Sequence, residues 1–127
     1  MNLEAIGLHL AASGCGVMKK TIFGTAMPAE CLEGILLIGN YYGTPLNHYL
    51  PGYLVTEFRL IARSADYNRG EALALKASAA LTIQAGLQLS GIMVTQCLPL
   101  NLPRPYRRSV GAFHEFEVDI AIHYTTD

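Results

Sequence analysis

The segment that most constrains this fold is the run from His114 to Tyr124, where two kinds of residue alternate without a break. His114, Phe116, Val118, Ile120, Ile122 and Tyr124 fall on one side, and Glu115, Glu117, Asp119, Ala121 and His123 on the other. A period of two with one apolar side marks a strand lying over a core on one face only. Just before it comes Leu98-Pro99-Leu100-Asn101-Leu102-Pro103-Arg104-Pro105-Tyr106-Arg107-Arg108. Each proline fixes its own φ and turns its predecessor away from helix, so this stretch is extended and stiff. The pair predicts a rigid basic loop at the end of a sheet, a shape suited to docking rather than to chemistry.

The rest of the chain supplies partners for that strand. Asn2 can cap a first helix with Leu3, Ile6 and Leu10 on its apolar face and Gly14 as its stop. Lys20-Thr21-Ile22-Phe23 reads as a short strand, closed by Gly24 and Pro28. Gly34 to Gly39 encloses four consecutive apolar residues and reads as a central strand covered on both sides. Leu54 to Arg63 alternates, with Leu54, Thr56, Phe58, Leu60 and Ala62 on one face and Glu57, Arg59 and Arg63 on the other. Asp66 is the N-cap of a helix over Tyr67–Ala85 whose apolar face is Ala72, Leu73, Ala79, Ala80 and Ile83, with Gly86 as its stop. Leu87–Gln96 is a fourth strand and Phe113–Thr125 the fifth. The expected fold is α+β: one domain over residues 1–127, a mainly antiparallel sheet of about five strands, and two helices packed on one face.

Composition narrows the function. Apolar residues make up 51% of the chain and charged ones only 15%, an excess that subunit contacts can absorb. A net charge of −1 speaks against a general nucleic-acid binder. Cys15, Cys31 and Cys97 are odd in number and lack metal-ligand spacing, so they read as reduced, buried thiols in a cytosolic setting. Leu10-Ala11-Ala12-Ser13-Gly14-Cys15 mimics a lipoprotein cleavage box, but Glu4 and His9 stand where a secretory signal needs positive charge and apolar length. No run approaches the ~20 apolar residues of a membrane span.

A search for chemistry finds no constellation. His9, His48, His114 and His123 are scattered, and the last two fall on opposite faces of their strand. Gly14-Cys15-Gly16 lacks the strand and helix of a phosphate loop. Ser13 and Cys15 have no base in local reach. Glu115, Glu117 and Asp119 share a face; such a row binds a cation, matches a basic partner, or is the solvated side of the sheet. If the strands pair, Arg59 and Arg63 can offset it across the sheet.

Two loops have the composition of contact surfaces. Arg104, Tyr106, Arg107 and Arg108 are residue types enriched at interface hot spots, held out by prolines. The loop from Asn40 to Gly52 carries Tyr41, Tyr42 and Tyr49, stiffened by Pro45 and Pro51. Each is otherwise a solvated connection packed on its own base.

Ile22-Phe23 followed by Met27-Pro28, a strand ending in Arg63, Asp66-Tyr67 opening an alanine-rich helix, the Pro103–Arg108 loop and the final amphipathic strand form one ordered pattern. It resembles the bacteriophage minor capsid and tail terminator proteins, small virion proteins that close the end of a tail tube. The resemblance implies a homo-oligomeric, six-fold ring on the last tail-tube ring. That ring stops tube growth and offers a surface to the head connector or head-completion protein. It implies a structural protein and not an enzyme. The place is the virion, at the head–tail junction, after synthesis in the host cytoplasm. No cofactor, metal, membrane or sequence-specific nucleic acid is involved, although DNA can pass through such a ring. Two other readings stand beside it. One is a small oligomeric enzyme or ligand-binding module with a pocket at a subunit interface, built on the carboxylate row and His123. The other is a subunit of a different ring, in the head-completion or tail-tube position.

Overall fold

A computed structural model of the chain describes residues 3–24, 26–28, 31–39, 43–46, 48–89, 91–105 and 113–126. The elements run α1 (Leu3–Ala12), β1 (Ile22–Gly24), β2 (Gly34–Gly39), β3 (Tyr53–Ser64), α2 (Tyr67–Ala80), β4 (Leu87–Leu89), β5 (Ile92–Pro99), β6 (Arg104–Pro105) and β7 (His114–Thr126). The spatial order is β1-β2-β3-β7-β5-β4, with β6 continuing along the β7 edge beyond β5. The spine is the β3–β7 pair, in register from Tyr53↔Thr125 to Ser64↔His114. The alternating strand therefore lies in the middle of the sheet, where both its edges are paired.

Alternation sorts the two faces as expected. Phe116, Val118, Ile120 and Ile122 are completely buried and face the helices, together with Phe58, Leu60 and Ala62 of β3 and Ile35 and Leu37 of β2. Helix α1 lies over β1 and β2, and α2 over β3 and β7. Both helices are on the same side, and Ile6, Leu10, Ala74, Ala77 and Leu81 complete the core. Asp66 caps α2, its side chain accepting the Arg69 N–H at 3.2 Å, a contact worth about 1 kcal/mol. A Cβ on Gly70 would sit 3.1 Å from the Phe116 ring, so this glycine lets α2 approach the sheet closely. The helices are tied by His9 Nε2 donating to Ala80 O at 2.9 Å and Lys76 Nζ to Gly14 O at 2.9 Å.

The sheet is larger and more mixed than the sequence suggests. Among the described residues it has seven strands, and β1 runs parallel to β2 while the remaining pairs are antiparallel. The expected strand over Leu87–Gln96 is a hairpin. Gly91, at φ +79°, turns the chain so that Leu89 pairs with Ile92, a two-residue connection that favours left-handed backbone. Strand β5 then runs on to Pro99, with a bulge between Val94 and Gln96. Helix α2 ends at Ala80 rather than Ala85, because Ile83 exchanges two 2.8 Å backbone hydrogen bonds with Cys97 of β5. Its buried stripe is Gly70, Ala74, Ala77 and Ser78, so the expected face is out of phase and Ala72 and Ala79 are exposed. Strand β2 has neighbours on both edges but only one covered face; Ile38 is exposed. Lys20 and Thr21 belong to the turn before β1, and Asn2 lies outside the described residues.

Candidate interaction surface

The face of the sheet away from the helices carries no covering element among the described residues, and its chemistry is organised in rows. Arg59 stands opposite Asp119 and Arg63 opposite Glu115 on β3 and β7, while Arg104 of β6 stands opposite Glu117. Arg59 Nε donates to Asp119 Oδ1 at 3.0 Å, and its Nη1 lies 3.3 Å from Glu117 Oε2. Arg104 donates through Nη2 to Asp119 Oδ2 at 2.7 Å and through Nε to Glu117 Oε1. Arg63 Nε is 3.5 Å from Glu115 Oε2; its Nη1 donates to Pro28 O at 3.1 Å, and its guanidinium stacks over Phe113. The carboxylate row is thus neither a cation site nor simply solvated: three arginines from β3 and β6 neutralise it.

The electrostatics follow from these contacts. Burial disfavours the Asp119 carboxylate, but hydrogen bonds from Arg104 and Arg59 outweigh it and hold its pKa below the ordinary value. The hydrogen bond to Asp119, joined by that to Glu117, raises the Arg104 pKa further above its ordinary range. Glu117 Oε2 and Arg63 Nε are buried without an aligned hydrogen bond and are held by charge alone.

One residue that the sequence reading passed over organises this corner. Asn101 fills the gap between β5 and β6, where its carboxamide takes the place of a strand amide against β7. Its Oδ1 accepts the Asp119 N–H at 2.9 Å, and its Nδ2 donates to Glu117 O at 3.3 Å and Leu102 O at 2.7 Å. Beside it, Leu100 N donates to Asp119 O at 2.7 Å. The basic stretch is therefore stapled along β7 as far as Pro105, instead of standing free at the end of the sheet. Only the pairing ability of an asparagine side chain could have signalled this.

The proposed contact residues separate accordingly. Arg104 is engaged within its own chain, while Tyr106, Arg107 and Arg108 lie outside the described residues. Tyr49 is 94% exposed, and Leu46 and Leu50 beside it are 72% and 53% exposed. Tyr41 and Tyr42 lie outside the described residues. These two regions occupy opposite ends of the sheet. Arg104 meets Glu117 and the tyrosine loop returns at Tyr53 opposite Thr125, eight residues further along β7 and thus roughly 25 Å away.

His123 does not join the carboxylates. Its Nδ1 is hydrogen-bonded to Tyr53 Oη at 2.9 Å, and His114 packs edge-on against Tyr67. Among the described residues no three His, Cys, Asp or Glu side chains gather as metal ligands, and no helix is long and apolar enough to cross a membrane. Cys15 and Cys97 are buried and Cys31 is half-buried; burial pushes the Cys97 thiol up to about 12.

The model of the family described as bacteriophage tail terminator protein matches residues 9–126. The chain belongs to the bacteriophage tail terminator proteins. It is a structural protein of the phage tail and a component of the virion, as the ordered marks from Ile22-Phe23 to the last strand imply. Among solved structures, a chain from the virion of a native gene transfer agent particle superposes with a TM-score of 0.68 at 17% identity. The match covers 96% of this terminator and 92% of that chain, so the two share the whole fold. No curated protein matches the chain.

Proposed function

We propose that this terminator forms a homo-oligomeric ring, of six copies, that caps the last ring of the tail tube and presents its other side to a head-completion or connector protein. The observation that carries this reading is the polarity of the sheet. One end displays Leu46, Tyr49 and Leu50, the other displays the stapled proline–arginine segment, and the long β3–β7 ladder holds them apart. A subunit placed between two different partners needs two unlike ends on one stiff body. The protein acts by binding alone: the row of Glu115, Glu117 and Asp119 is committed to arginines rather than poised as acids or bases. It reads no nucleic-acid sequence, although DNA can pass through such a ring.

Arg107 and Arg108 remain the cationic contacts to test, because Arg104 is occupied. A phage lacking this chain should make tails of uncontrolled length that fail to join heads, and supplying the chain in trans should restore uniform joined particles. Normal tail lengths without the chain, measured by electron microscopy, would refute the terminator role. Replacing Arg107 and Arg108 by alanine should weaken joining and make it more salt-sensitive; unchanged joining at every salt concentration would remove that end from the contact.

A further inference from the structure

We infer that the segment Leu100–Pro105 is an edge guard, which closes to other chains the stretch of β7 that β5 leaves unpaired. Strand β7 is paired along its whole β3 side, but β5 stops at Pro99 opposite Ile120. Strand β7 extends past that point to His114, so its edge over Glu115, Glu117 and Asp119 would be a row of open N–H and C=O groups. Such a row is a template for any other strand that meets it.

Among the described residues, Leu100–Pro105 fills the row, with very little strand. β6 has two residues, and much of the work falls to groups outside the ladder. The Asp119 N–H goes to Asn101 Oδ1 at 2.9 Å, and the Asp119 carbonyl accepts the Leu100 N–H at 2.7 Å. Glu117 O accepts from Asn101 Nδ2 at 3.3 Å, and Arg104 grips the carboxylates of both residues. The outer side of the segment cannot continue the sheet. Pro105, opposite Phe116, has no N–H, so Arg104 is the residue that turns its backbone to Glu117, and Pro103 and Pro105 face outward. A strand arriving there meets carbonyls without donors, and proline blunts a sheet edge in this way. The segment is not there to fill the core, since Leu100 and Leu102 are 54% and 80% exposed.

Two other edges are closed by short segments of the same kind. Ile83 covers β5 beyond β4 with two 2.8 Å backbone hydrogen bonds to Cys97. The turn before β1 covers that strand, Ile22 N donating to Val17 O at 3.0 Å and Ile22 O accepting from Lys19 N at 2.8 Å. The guard goes beyond the ring reading and does not depend on it, because a single chain in solution needs it equally.

Three purified variants of the full chain test this against the parent, by sedimentation velocity at high concentration. Asn101→Ala with Arg104→Ala removes the grip on β7. Pro103→Ala with Pro105→Ala keeps the grip and gives the outer side two donors. Arg59→Ala takes an arginine from the same carboxylates and leaves the guard in place. The first two, folded by circular dichroism, should send roughly tenfold more chain than the parent into assemblies larger than the parent's own, and Arg59→Ala should match the parent. In assemblies of the first variant, hydrogen exchange should show the Asp119 amide protected. Three results overturn the guard role: a folded guard variant as soluble as the parent, an Arg59→Ala chain that assembles as readily as the guard variants, or an unprotected Asp119 amide in the assemblies. Should the first variant unfold, the proline variant decides alone, because it removes none of the guard's hydrogen bonds.

Discussion

Strand β2 begins and ends with glycine, and the same substitution at its two ends should have opposite effects. A Cβ on Gly34 would lie 2.7 Å from Thr21 O and 2.9 Å from Cys31 Sγ, whereas among the described residues one on Gly39 meets only Leu3 Cδ1 at 3.7 Å. Thr21 O is also the acceptor of the 2.7 Å hydrogen bond from Ile35 N that starts the parallel β1–β2 ladder. To restore an ordinary carbon–oxygen contact the carbonyl must retreat by roughly 0.6 Å, which stretches that bond. Overpacking of this kind costs about 1–3 kcal/mol, and the weakened hydrogen bond adds about 0.5–1 kcal/mol. Removing glycine from a strand returns about 0.5–1 kcal/mol at either site. Gly34→Ala should therefore lose about 1–3 kcal/mol and Gly39→Ala should be neutral or gain up to about 1 kcal/mol. For a chain of this length, that separates their melting temperatures by roughly 5–15 °C. Urea and thermal denaturation of the two purified variants decide the matter. If Gly34→Ala is as stable as Gly39→Ala, the close approach of Thr21 to β2 is not what positions the first strand.

Asn101→Ala should cost about 1–2 kcal/mol by leaving the Asp119 N–H and Glu117 carbonyl without their partner, and hydrogen exchange should show faster loss of the Asp119 amide than in the parent. Asp119 has a lowered pKa in the folded chain, so its contribution is present above the unfolded carboxylate value, near pH 4, and is lost as pH falls through the folded value. Asp119→Asn should flatten the stability profile in that acid window and lower neutral-pH stability by only about 1 kcal/mol, since solvent screens both arginine partners; an unchanged acid slope would refute the assignment. Thiol titration at pH 8 should modify Cys31 well before Cys97, whose pKa of about 12 and complete burial leave almost no accessible thiolate; equal rates would contradict the described core.

What the sequence made legible was whatever rests on periodicity. The faces of β3 and β7 could be read residue by residue, and so could the Asp66 cap, because each depends on local spacing. The offset of Arg59 and Arg63 against the carboxylates followed once the strands were allowed to pair. What escaped depends on contacts between distant segments. The parallel β1–β2 pair has three residues of β1 and no alternation to betray it. An alanine-rich helix carries almost no phase signal, so Ala72 and Ala79 could be taken for Ala74 and Ala77. The two-residue turn at Gly91 hid inside a run that is apolar on both sides of it. Arg104 looked free because proline stiffness is visible in a sequence, while the Asn101 carboxamide that pins its segment reads as an ordinary loop residue. The tyrosine loop was recognised by composition, yet the two leucines that flank Tyr49 across it were overlooked.

The central place of β7 has a consequence for how the chain comes into being. Of the strands described, the one in the middle is made after all the others, and its partners on β3 were made 50 to 72 residues earlier. Until it arrives, β3 and β5 each hold an open edge, and Phe58, Leu60 and Cys97 lack their neighbours Ile120, Val118 and Ile122 on β7. The nascent chain therefore cannot close its core until β7 has been made. Folding waits for β7, proceeds through long-range pairing of high contact order, and is slow for a fold of this size. A newly made subunit therefore passes through an interval in which its unpaired edges can meet those of other copies.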